Sequence, residues 1–289
     1  MSLLDALKFA GSLADDARRP AGAAGAVRLW WLGQAGFLVR SGRFLCAVDP
    51  YLAPEPRRLA PPAFDPGEPL GLGAVLCSHA HIDHLDPDSL PGLARANPEC
   101  VFVVPAAERE QALKRGLPAE RLRPARDGDA IELAPGAAAR VLPSAHEELE
   151  TDASGAHRAL GFVLELGRLR IYHSGDCVPY PGLARRLAAL RPDLALLPAN
   201  GRDAERRRRG LVGNFSFEEA AALCLEAGIG WLVPHHFGMF AGNTVPREEL
   251  ERAAAGLPAR LRCVLPELGM SYELLAADLS GEAPRAKPD

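Results

Sequence analysis

The order of strand-like and helix-like segments predicts an α/β protein in which two β-sheets pack together and helices lie outside them. A meander of short apolar runs comes first, strands and helices then alternate, and the same order returns in the second half of the chain. The 289 residues suffice for a single domain of this class. Hydrophobic residues make up 48% and charged residues 24%, which excludes a disordered chain, a collagen-like chain and a coiled coil.

The N-terminal segment is predicted to be a helix followed by a linker. Apolar residues recur at helical spacing from Leu3 to Ala17, and a proline with an Ala/Gly-rich stretch comes next. We expect residues 1–25 to be this helix and linker, residues 26–275 to be the main domain, and residues 276–289 to be a disordered tail. The first twenty residues lack a basic start and an unbroken apolar core, so no signal peptide is predicted.

Strands are predicted where short apolar runs lie between turn residues. A Ser-Gly pair at positions 41–42 marks a hairpin turn within the opening meander. The predicted strands are residues 27–32, 36–39, 44–48, 74–77, 101–104, 130–133, 138–142, 159–166, 168–172, 194–197, 231–233, 263–265 and 270–273.

Helices are predicted where apolar residues recur at helical spacing behind a capping residue. Ser216 and Glu219 form the pattern of a capping box at the start of one of them. Residues 53–73 contain many prolines and glycines and are predicted to be a loop. The predicted helices of the main domain are residues 87–96, with Asp86 as N-cap, 106–115, 182–190, 217–226 and 247–255.

Charge, hydropathy and cysteine content exclude several partners. The net charge is −4, so no basic field attracts the chain to nucleic acid, and no nucleic-acid partner is expected. No apolar stretch reaches the roughly 18 residues of a membrane span. The six cysteines are scattered without a C-x-x-C pair, which is typical of reduced, buried thiols in a cytoplasmic protein. Whether the chain forms a homo-oligomer stays open.

Three histidines and an aspartate crowd the end of the strand predicted at 74–77: His79, His81, Asp83 and His84. Imidazole is the commonest metal ligand near neutral pH. His79 and His81 are two residues apart and face the same way in an extended turn, while Asp83 and His84 can face a second point nearby. The alternative is a set of surface polar residues before a helix, but packing gives no reason for gathering these groups. We therefore expect a metal site here.

Further candidate ligands follow later strands. His146, Asp176 and the pair His235 and His236 each come just after or at the end of a predicted strand. Each alone is compatible with an ordinary polar loop residue. Together, four strand ends each supply a nitrogen or oxygen ligand. His173 either orients a ligand from behind or is a satisfied core histidine, and the sequence leaves both open.

The segment 79–84 resembles the H-x-H-x-D-H signature of the metallo-β-lactamase-fold hydrolases, and the later candidates match that family's later motifs in order. The resemblance spans about residues 27–273. It implies an αββα four-layer sandwich, with two mixed β-sheets, helices on the outer faces and a dinuclear metal site at one edge. His236 is preferred to His235 because it fits the family register and because neighbours on a strand point to opposite sides. The resemblance implies His79, His81 and His146 as ligands of the first metal, Asp83, His84 and His236 as ligands of the second, and Asp176 as the bridge.

Within that superfamily the sequence is most similar to the L-ascorbate-6-phosphate lactonase group. The shared motifs are at residues 31–37, 49–52, 200–203 and 234–240. The resemblance implies two divalent ions, zinc or manganese, and a bridging hydroxide that cleaves a lactone or ester, for instance of a phosphorylated sugar acid. Asp83 or Asp176 would carry the proton between water and leaving group.

A small anionic substrate is expected to lie against polar residues that follow the strand at 194–197. Arg202 would hold its phosphate or carboxylate, since guanidinium suits such oxyanions, and Asn200 and Asn214 would add hydrogen bonds. The run at 206–209 is either a solvated face or the source of a second arginine in this clamp. Cys177, beside the bridging aspartate, is interpreted as a spectator thiol.

Two other functions compete with the lactonase-like reading. A phosphodiesterase acting on a lipid or a nucleotide would use the same two metals. A non-catalytic binding or regulatory protein on a decayed hydrolase fold is less favoured, because decay removes ligands and all seven positions are filled.

Overall fold

Fifteen strands form two sheets in the part of the chain that the structure describes. The computed structural model describes residues 5–8, 11–20 and 25–275. In chain order the strands are β1 (Asp5–Lys8), β2 (Val27–Gly33), β3 (Gly36–Ser41), β4 (Phe44–Val48), β5 (Ala74–Leu76), β6 (Val101–Pro105), β7 (Leu122–Ala125), β8 (Ala130–Ala134), β9 (Ala137–Pro143), β10 (Leu160–Leu166), β11 (Leu169–His173), β12 (Leu194–Pro198), β13 (Trp231–His235), β14 (Arg262–Cys263) and β15 (Met270–Leu274).

Both sheets are mixed. The first has eight strands in the order β1-β15-β2-β3-β4-β5-β6-β7, and the second has seven in the order β14-β13-β12-β11-β10-β9-β8. The first sheet is antiparallel from β1 to β4 and parallel from β4 to β7. The second is antiparallel from β8 to β11 and parallel from β11 to β14. The parallel strands of each sheet therefore end at one edge, where their following loops meet.

Strand alternation divides the core into two layers. In β2, Leu29 and Trp31 belong to the cluster that also contains Phe162 of the second sheet, so this cluster fills the space between the sheets. Trp30 and Leu32 point the other way, into a separate cluster on the outer face of the first sheet. Both faces of this strand are buried, and its sequence is therefore a nearly continuous run of apolar residues rather than an alternation of apolar and polar ones.

Helices cover the outer faces of the sheets. Buried residues of the first three helices belong to the cluster outside the first sheet, and α4 packs on α6, which contacts β12 and β13 of the second sheet. The capping box of Ser216 and Glu219 is present at the start of α6. The four layers confirm the predicted αββα sandwich. The helices are α1 (Leu13–Arg18), α2 (Leu90–Ala96), α3 (Arg109–Lys114), α4 (Leu183–Leu190), α5 (Ala204–Arg208), α6 (Phe217–Ala227) and α7 (Arg247–Ala255).

The N-terminal prediction is wrong in part. Asp5–Lys8 forms β1, which pairs with β15, and the helix is only α1, with Ser12 capping its start. The sequence reading also missed β7 and α5. β7 contains a proline, which is tolerated because β7 is an edge strand, where a missing N–H costs little. The predicted tail at 276–289 lies outside the described residues. In the described part of the chain, no helix combines the length and apolar character needed to cross a membrane.

Candidate metal centre

The seven predicted ligand residues lie together where strands of both sheets end. β5 leads into the segment 79–84 from the first sheet, and the remaining three ligands follow strands of the second sheet. His146 follows β9, Asp176 follows β11, and His236 follows β13 directly. A backbone hydrogen bond from Leu160 to the carbonyl of Ser78, 2.9 Å long, ties the two sheets at this point. Strand order alone therefore gathers residues that are far apart in the sequence.

Three imidazoles form the first group of this centre: His79, His81 and His146, whose ligand atoms lie within 4.8 Å of one another. The ring of His79 is 4.6 Å from that of His81 and 4.8 Å from that of His146. Nδ1 of His81 lies 3.0 Å from Nε2 of His146. Two nitrogen ligands of a tetrahedral zinc ion are about 3.3–3.4 Å apart at the usual bond length, so this spacing suits a shared ion.

A carboxylate and two imidazoles form the second group: Asp83, His84 and His236. Nε2 of His84 lies 3.8 Å from Oδ1 of Asp83, and Nε2 of His236 lies 3.7 Å from Oδ2. Both histidines are essentially buried. The mixed nitrogen and oxygen donors suit zinc and manganese alike.

Asp176 lies between the two groups. Its Oδ1 is 3.4 Å from Nε2 of His84, and its Oδ2 is 3.2 Å from Nε2 of His236. Oδ2 is also 3.8 Å from Nε2 of His146 in the first group. One carboxylate thus faces side chains of both groups, and bridging by Asp176 stays a prediction.

Unusual backbone conformations direct these side chains inward. His236 has a φ of +63°, which turns its ring away from the direction that continuing the strand would give. Gly175 has a φ of +61°, and a Cβ there would lie 2.4 Å from the Cβ of Ser78. Only glycine fits this turn without displacing the segment that carries the first histidines. Gln34 and Asp49, which contact ligand residues, also have positive φ, as is common for strained residues at functional sites.

Asp49 holds His84 in place, a role that the sequence reading did not assign. Its Oδ2 accepts a 2.7 Å hydrogen bond from Nδ1 of His84 and a 2.6 Å bond from Oγ of Ser78. Its Oδ1 accepts a 2.7 Å bond from the N–H of Ser78. With Nδ1 as the donor, His84 presents the lone pair of Nε2 to the centre, the usual arrangement behind a metal-ligating histidine. The position of Asp49 after β4 and its place in the shared motif at residues 49–52 were the signals available.

Gln34 is a second residue without a role in the sequence reading. It lies in the turn between β2 and β3, and its Nε2 donates a 3.0 Å hydrogen bond to Oδ2 of Asp83. Its backbone carbonyl accepts from the N–H of His236 at 2.9 Å. One residue therefore fixes two members of the second group. Its Oε1 is buried and has no hydrogen-bond partner in the described chain.

The polar atoms of the centre fit divalent cations. Nε2 of His79, Nε2 of His84 and Oδ1 of Asp176 are buried and accept or donate no hydrogen bond within the described residues. Buried polar atoms without partners are rare and call for an unseen ligand. All three atoms belong to the converging set, so a metal ion would satisfy each of them.

The pKa values differ between the two groups. Burial, together with neighbouring His84 and His146, lowers the pKa of His79 well below its ordinary value, and burial lowers that of His146 to about 4. These imidazoles are thus neutral, as ligands must be. In the second group, Asp49 and Asp176 outweigh burial and raise the pKa of His84 well above its ordinary value. The pKa of Asp176 is lowered well below its usual range, because His236 and His84 outweigh the effect of burial. The pKa of His236 rises to about 9, because Asp176 and Asp83 outweigh burial, so negative charge at this point favours a cation.

His173 and His235 support the centre from behind. Nε2 of His173 donates to the carbonyl of Ala35 at 2.7 Å, and its Nδ1 accepts from the N–H of Gly175 at 3.0 Å. It therefore holds the backbone beside Asp176 rather than the carboxylate itself. His235 stacks on His173 with ring centroids 5.1 Å apart and lies outside the ligand groups. His236 lies among the candidate ligands and His235 does not, and the positive φ of His236 just after β13 separates the two side chains, rather than strand alternation.

Within the described residues, the predicted substrate residues form no hydrogen bond or ion pair with any of the seven ligands. Arg202 forms a bidentate pair with Glu219, with distances of 2.6 and 2.7 Å, and also donates to the carbonyl of Asn214. Nδ2 of Asn200 donates to Asn243 at 2.8 Å, and the side chain of Asn214 is fully buried without a hydrogen-bond partner in the described chain. The guanidinium of Arg202 is therefore already paired with a carboxylate.

Cys177 is buried, and burial raises the pKa of its thiol to about 11. Its Sγ donates to the carbonyl of Val178, and Cys177 belongs to neither ligand group. Of the predicted arginine run, Arg206 pairs with Asp203, and its neighbour Arg207 reaches Glu147 at 3.5 Å.

A cavity of about 280 Å³ opens directly beside the first group. Its inner wall is His79, His81 and His146, and alanine and valine side chains add apolar surface. Its remaining lining is charged: Glu108, Glu147, Glu148, Glu150 and Arg158.

The sequence profile described as "Beta-lactamase superfamily domain" matches residues 46–237, two thirds of the chain and every one of the seven ligand positions. The chain belongs to the metallo-β-lactamase superfamily. A curated relative from Methanoculleus marisnigri, named "UPF0173 metal-dependent hydrolase", is 28% identical over 251 residues, covering 86% of this chain and 97% of the relative. A relative of the same name from Myxococcus xanthus is 26% identical, covering 86% of this chain and 84% of the relative.

Solved structures of the superfamily share the fold. The isothiocyanate hydrolase from Delia radicum gut bacteria superposes with a TM-score of 0.66 at 18% identity, covering 84% of this chain and 97% of that one. Igni18, a metallo hydrolase from Ignicoccus hospitalis, superposes with a TM-score of 0.64 at 18% identity, covering 86% and 99%. At these identities the likeness establishes the architecture of this metallo-β-lactamase-fold chain.

Proposed function

We propose that this protein is a metal-dependent hydrolase that holds two divalent ions, zinc or manganese, and cleaves an ester or lactone. The observation that carries the proposal is the convergence of seven ligand side chains in two groups with Asp176 between them. The name "metal-dependent hydrolase" of its similar relatives supports the reaction class. The ligand roles follow the assignment expected from the sequence: His79, His81 and His146 for one ion, Asp83, His84 and His236 for the other, and Asp176 for both.

The ions, when bound, would polarise the carbonyl oxygen and lower the pKa of water toward neutrality. The protein then has to position water, accept its proton and return that proton. Water adds its oxygen to the acyl carbon, the carbon–oxygen bond to the leaving alcohol breaks, and the alcohol departs with a proton.

Asp83 is the better placed of the two carboxylates to carry that proton. Its side chain is 21% exposed, against 6% for Asp176, so it can reach both water and a leaving group. Its Oδ2 accepts from Gln34, which leaves Oδ1 as the proton acceptor. His84 and His236 outweigh burial and hold the pKa of Asp83 low, which keeps it ionised before the reaction.

The substrate class is a separate prediction. The motifs of the lactonase group favour a lactone, for instance of a phosphorylated sugar acid, and a phosphodiester is the alternative bond. An anionic substrate held by Arg202 stays a prediction from the sequence. The pairing of Arg202 with Glu219 and the glutamates around the cavity weigh against it.

Metal removal and restoration test the proposal. The protein is stripped with a chelator, reloaded with zinc or manganese, and assayed on lactones, p-nitrophenyl esters, phosphodiesters and β-lactams. We expect activity on an ester or lactone that returns with two ions per chain and disappears in His81→Ala. His157→Ala removes a histidine outside the seven ligands and serves as the control. Activity that survives metal removal, or none on any ester or lactone after full reloading, would contradict the proposal.

A further inference from the structure

The cavity beside the first ligand group carries a surplus of negative charge. Four glutamates and one arginine line it, and that arginine is already paired: Nη1 of Arg158 lies 2.7 Å from Oε1 of Glu108. Glu147 lies 3.5 Å from Arg207, whose side chain is 70% exposed, and Arg202 also attracts Glu147 electrostatically. Arg158 attracts Glu150 in the same way. In the described chain no cation lies within 4.0 Å of the carboxylates of Glu148 or Glu150.

The same cavity borders the first ligand group, so a molecule bound in it has access to the metal ion assigned there. His79 lines the wall beside this group, is only 5% exposed, and its Nε2 has no hydrogen-bond partner among the described residues. His81 and His146 complete this wall. The cavity is thus lined both by the histidines assigned to the first metal and by solvent-exposed carboxylates.

We propose that this cavity binds the part of the substrate that carries a positive charge, so that the protein hydrolyses an ester or lactone bearing an ammonium or similar cationic group. The inference rests on the proposed hydrolase function and names its substrate class. The carbonyl end lies at the histidines, and the cationic end lies among Glu147, Glu148 and Glu150. A positive group gains from these carboxylates, whereas a phosphate or carboxylate in the same place is repelled by them.

The orientation follows from charge at both ends. A cationic group is driven outward from the metal ions and toward the glutamates, while the uncharged carbonyl is free to approach the ions. Glu147 and Glu148 follow the ligand His146 directly in the chain. The loop that supplies a metal ligand therefore also supplies the specificity residues, as is common for loops on a rigid scaffold.

Two esters with the same leaving group and nearly the same shape test the charge preference. One is the p-nitrophenyl ester of 4-(trimethylammonio)butanoate, and the other is the p-nitrophenyl ester of 5,5-dimethylhexanoate, its neutral isostere. We expect kcat/KM of the metal-loaded enzyme to be at least about tenfold higher for the cationic ester at low salt. Raising the ionic strength should shrink this ratio, because the glutamates are exposed.

The double variant Glu148→Gln/Glu150→Gln removes two of the carboxylates with little change in shape. We expect the ratio to fall about three- to thirtyfold, since each exposed charge pair contributes modestly, while kcat/KM for the neutral ester stays the same. Glu99→Gln/Glu120→Gln changes the net charge equally at exposed sites away from the cavity and should leave the ratio unchanged. Equal kcat/KM for both esters, or an equal effect of the two double variants, would overturn the inference.

A binding measurement separates this inference from the hydrolase proposal. Calorimetry measures the affinity of 4-(trimethylammonio)butanoate and of 5,5-dimethylhexanoate for the full chain, both metal-loaded and chelator-treated. If neither ester is hydrolysed but the cation still binds more tightly, and loses that advantage in Glu148→Gln/Glu150→Gln, the hydrolase proposal fails and the cationic cavity stands. If esters are hydrolysed but no cation preference appears in either assay, the cavity inference fails alone. Uptake of a third metal ion that needs Glu148 and Glu150 would also overturn it.

Discussion

Replacing Asp49 by asparagine tests the support of the second ligand group most sharply. The carboxylate is fully buried and accepts three short hydrogen bonds, one from His84 and two from Ser78. Asparagine keeps the shape but turns one acceptor into a donor. If that NH₂ group faces Nδ1 of His84, the imidazole must accept there and carry its proton on Nε2, so the lone pair that would bind metal is lost.

The expected magnitude follows from these contacts. A charge-assisted hydrogen bond contributes about 1.5–3 kcal/mol, and its loss at a ligating histidine weakens metal binding about 10- to 100-fold. The effect should fall on the second ion, because His84 belongs to that group, while the first group keeps its three imidazoles. Activity should decline with the loss of the second ion.

Competition with a chromophoric chelator measures the affinity of each ion in the wild type and in Asp49→Asn. Asp65→Asn is a matched control, because that exposed carboxylate accepts a 2.7 Å hydrogen bond from Gly67 in a turn away from the centre. Unchanged affinity for both ions in a folded Asp49→Asn protein would refute the role assigned to this residue. Equal weakening of both ions would show that the two groups are not independent.

Three further substitutions have expected outcomes. His236→Ala should lose the second ion and more than about 99% of activity. His235→Ala should keep both ions, but a denaturant titration should show a loss of roughly 2–4 kcal/mol of unfolding free energy, as for a cavity in the core. The reverse ranking would contradict the choice of His236 as the ligand. Arg202→Ala should leave the metal content unchanged and lower the unfolding free energy by no more than about 1 kcal/mol, because the ion pair of Arg202 with Glu219 is partly exposed. A loss of kcat/KM confined to anionic substrates would instead support the anion-binding role predicted from the sequence. Gly175→Ala should lower the midpoint of thermal unfolding and weaken metal uptake together, because a Cβ collides with the first ligand segment; a normal unfolding midpoint with intact metal binding would contradict this.

The sequence predicted the sandwich well because its strands are short, apolar and separated by strong turn signals. β2, β4 and β10 match their predicted ranges within a residue or two. The N-terminal strand β1 was missed because its local spacing also fits a helix. Its partner β15 lies at the other end of the chain, so the pairing that decides its conformation is invisible locally.

The candidate ligands could be predicted because three imidazoles and a carboxylate gather after one strand and because the segment 79–84 resembles a family signature. The structure brings all seven together, with His236 rather than His235 in the ligand groups. The roles of the residues that support these ligands could not be predicted from the sequence in the same way. Asp49 and Gln34 act through hydrogen bonds to residues far along the chain. Arg202 was predicted to be free to bind an anion because its ion pair with Glu219 is not apparent from the sequence.

The number and placement of the ions test the central claim most directly. Elemental analysis of the fully reconstituted protein, together with a crystal structure recorded at the metal absorption edge, gives both. We expect two ions per chain, the first on His79, His81 and His146, with Asp176 contacting both. A single ion per chain after saturation, or an Asp176 carboxylate distant from either ion, would contradict the dinuclear centre on which the proposed hydrolase rests.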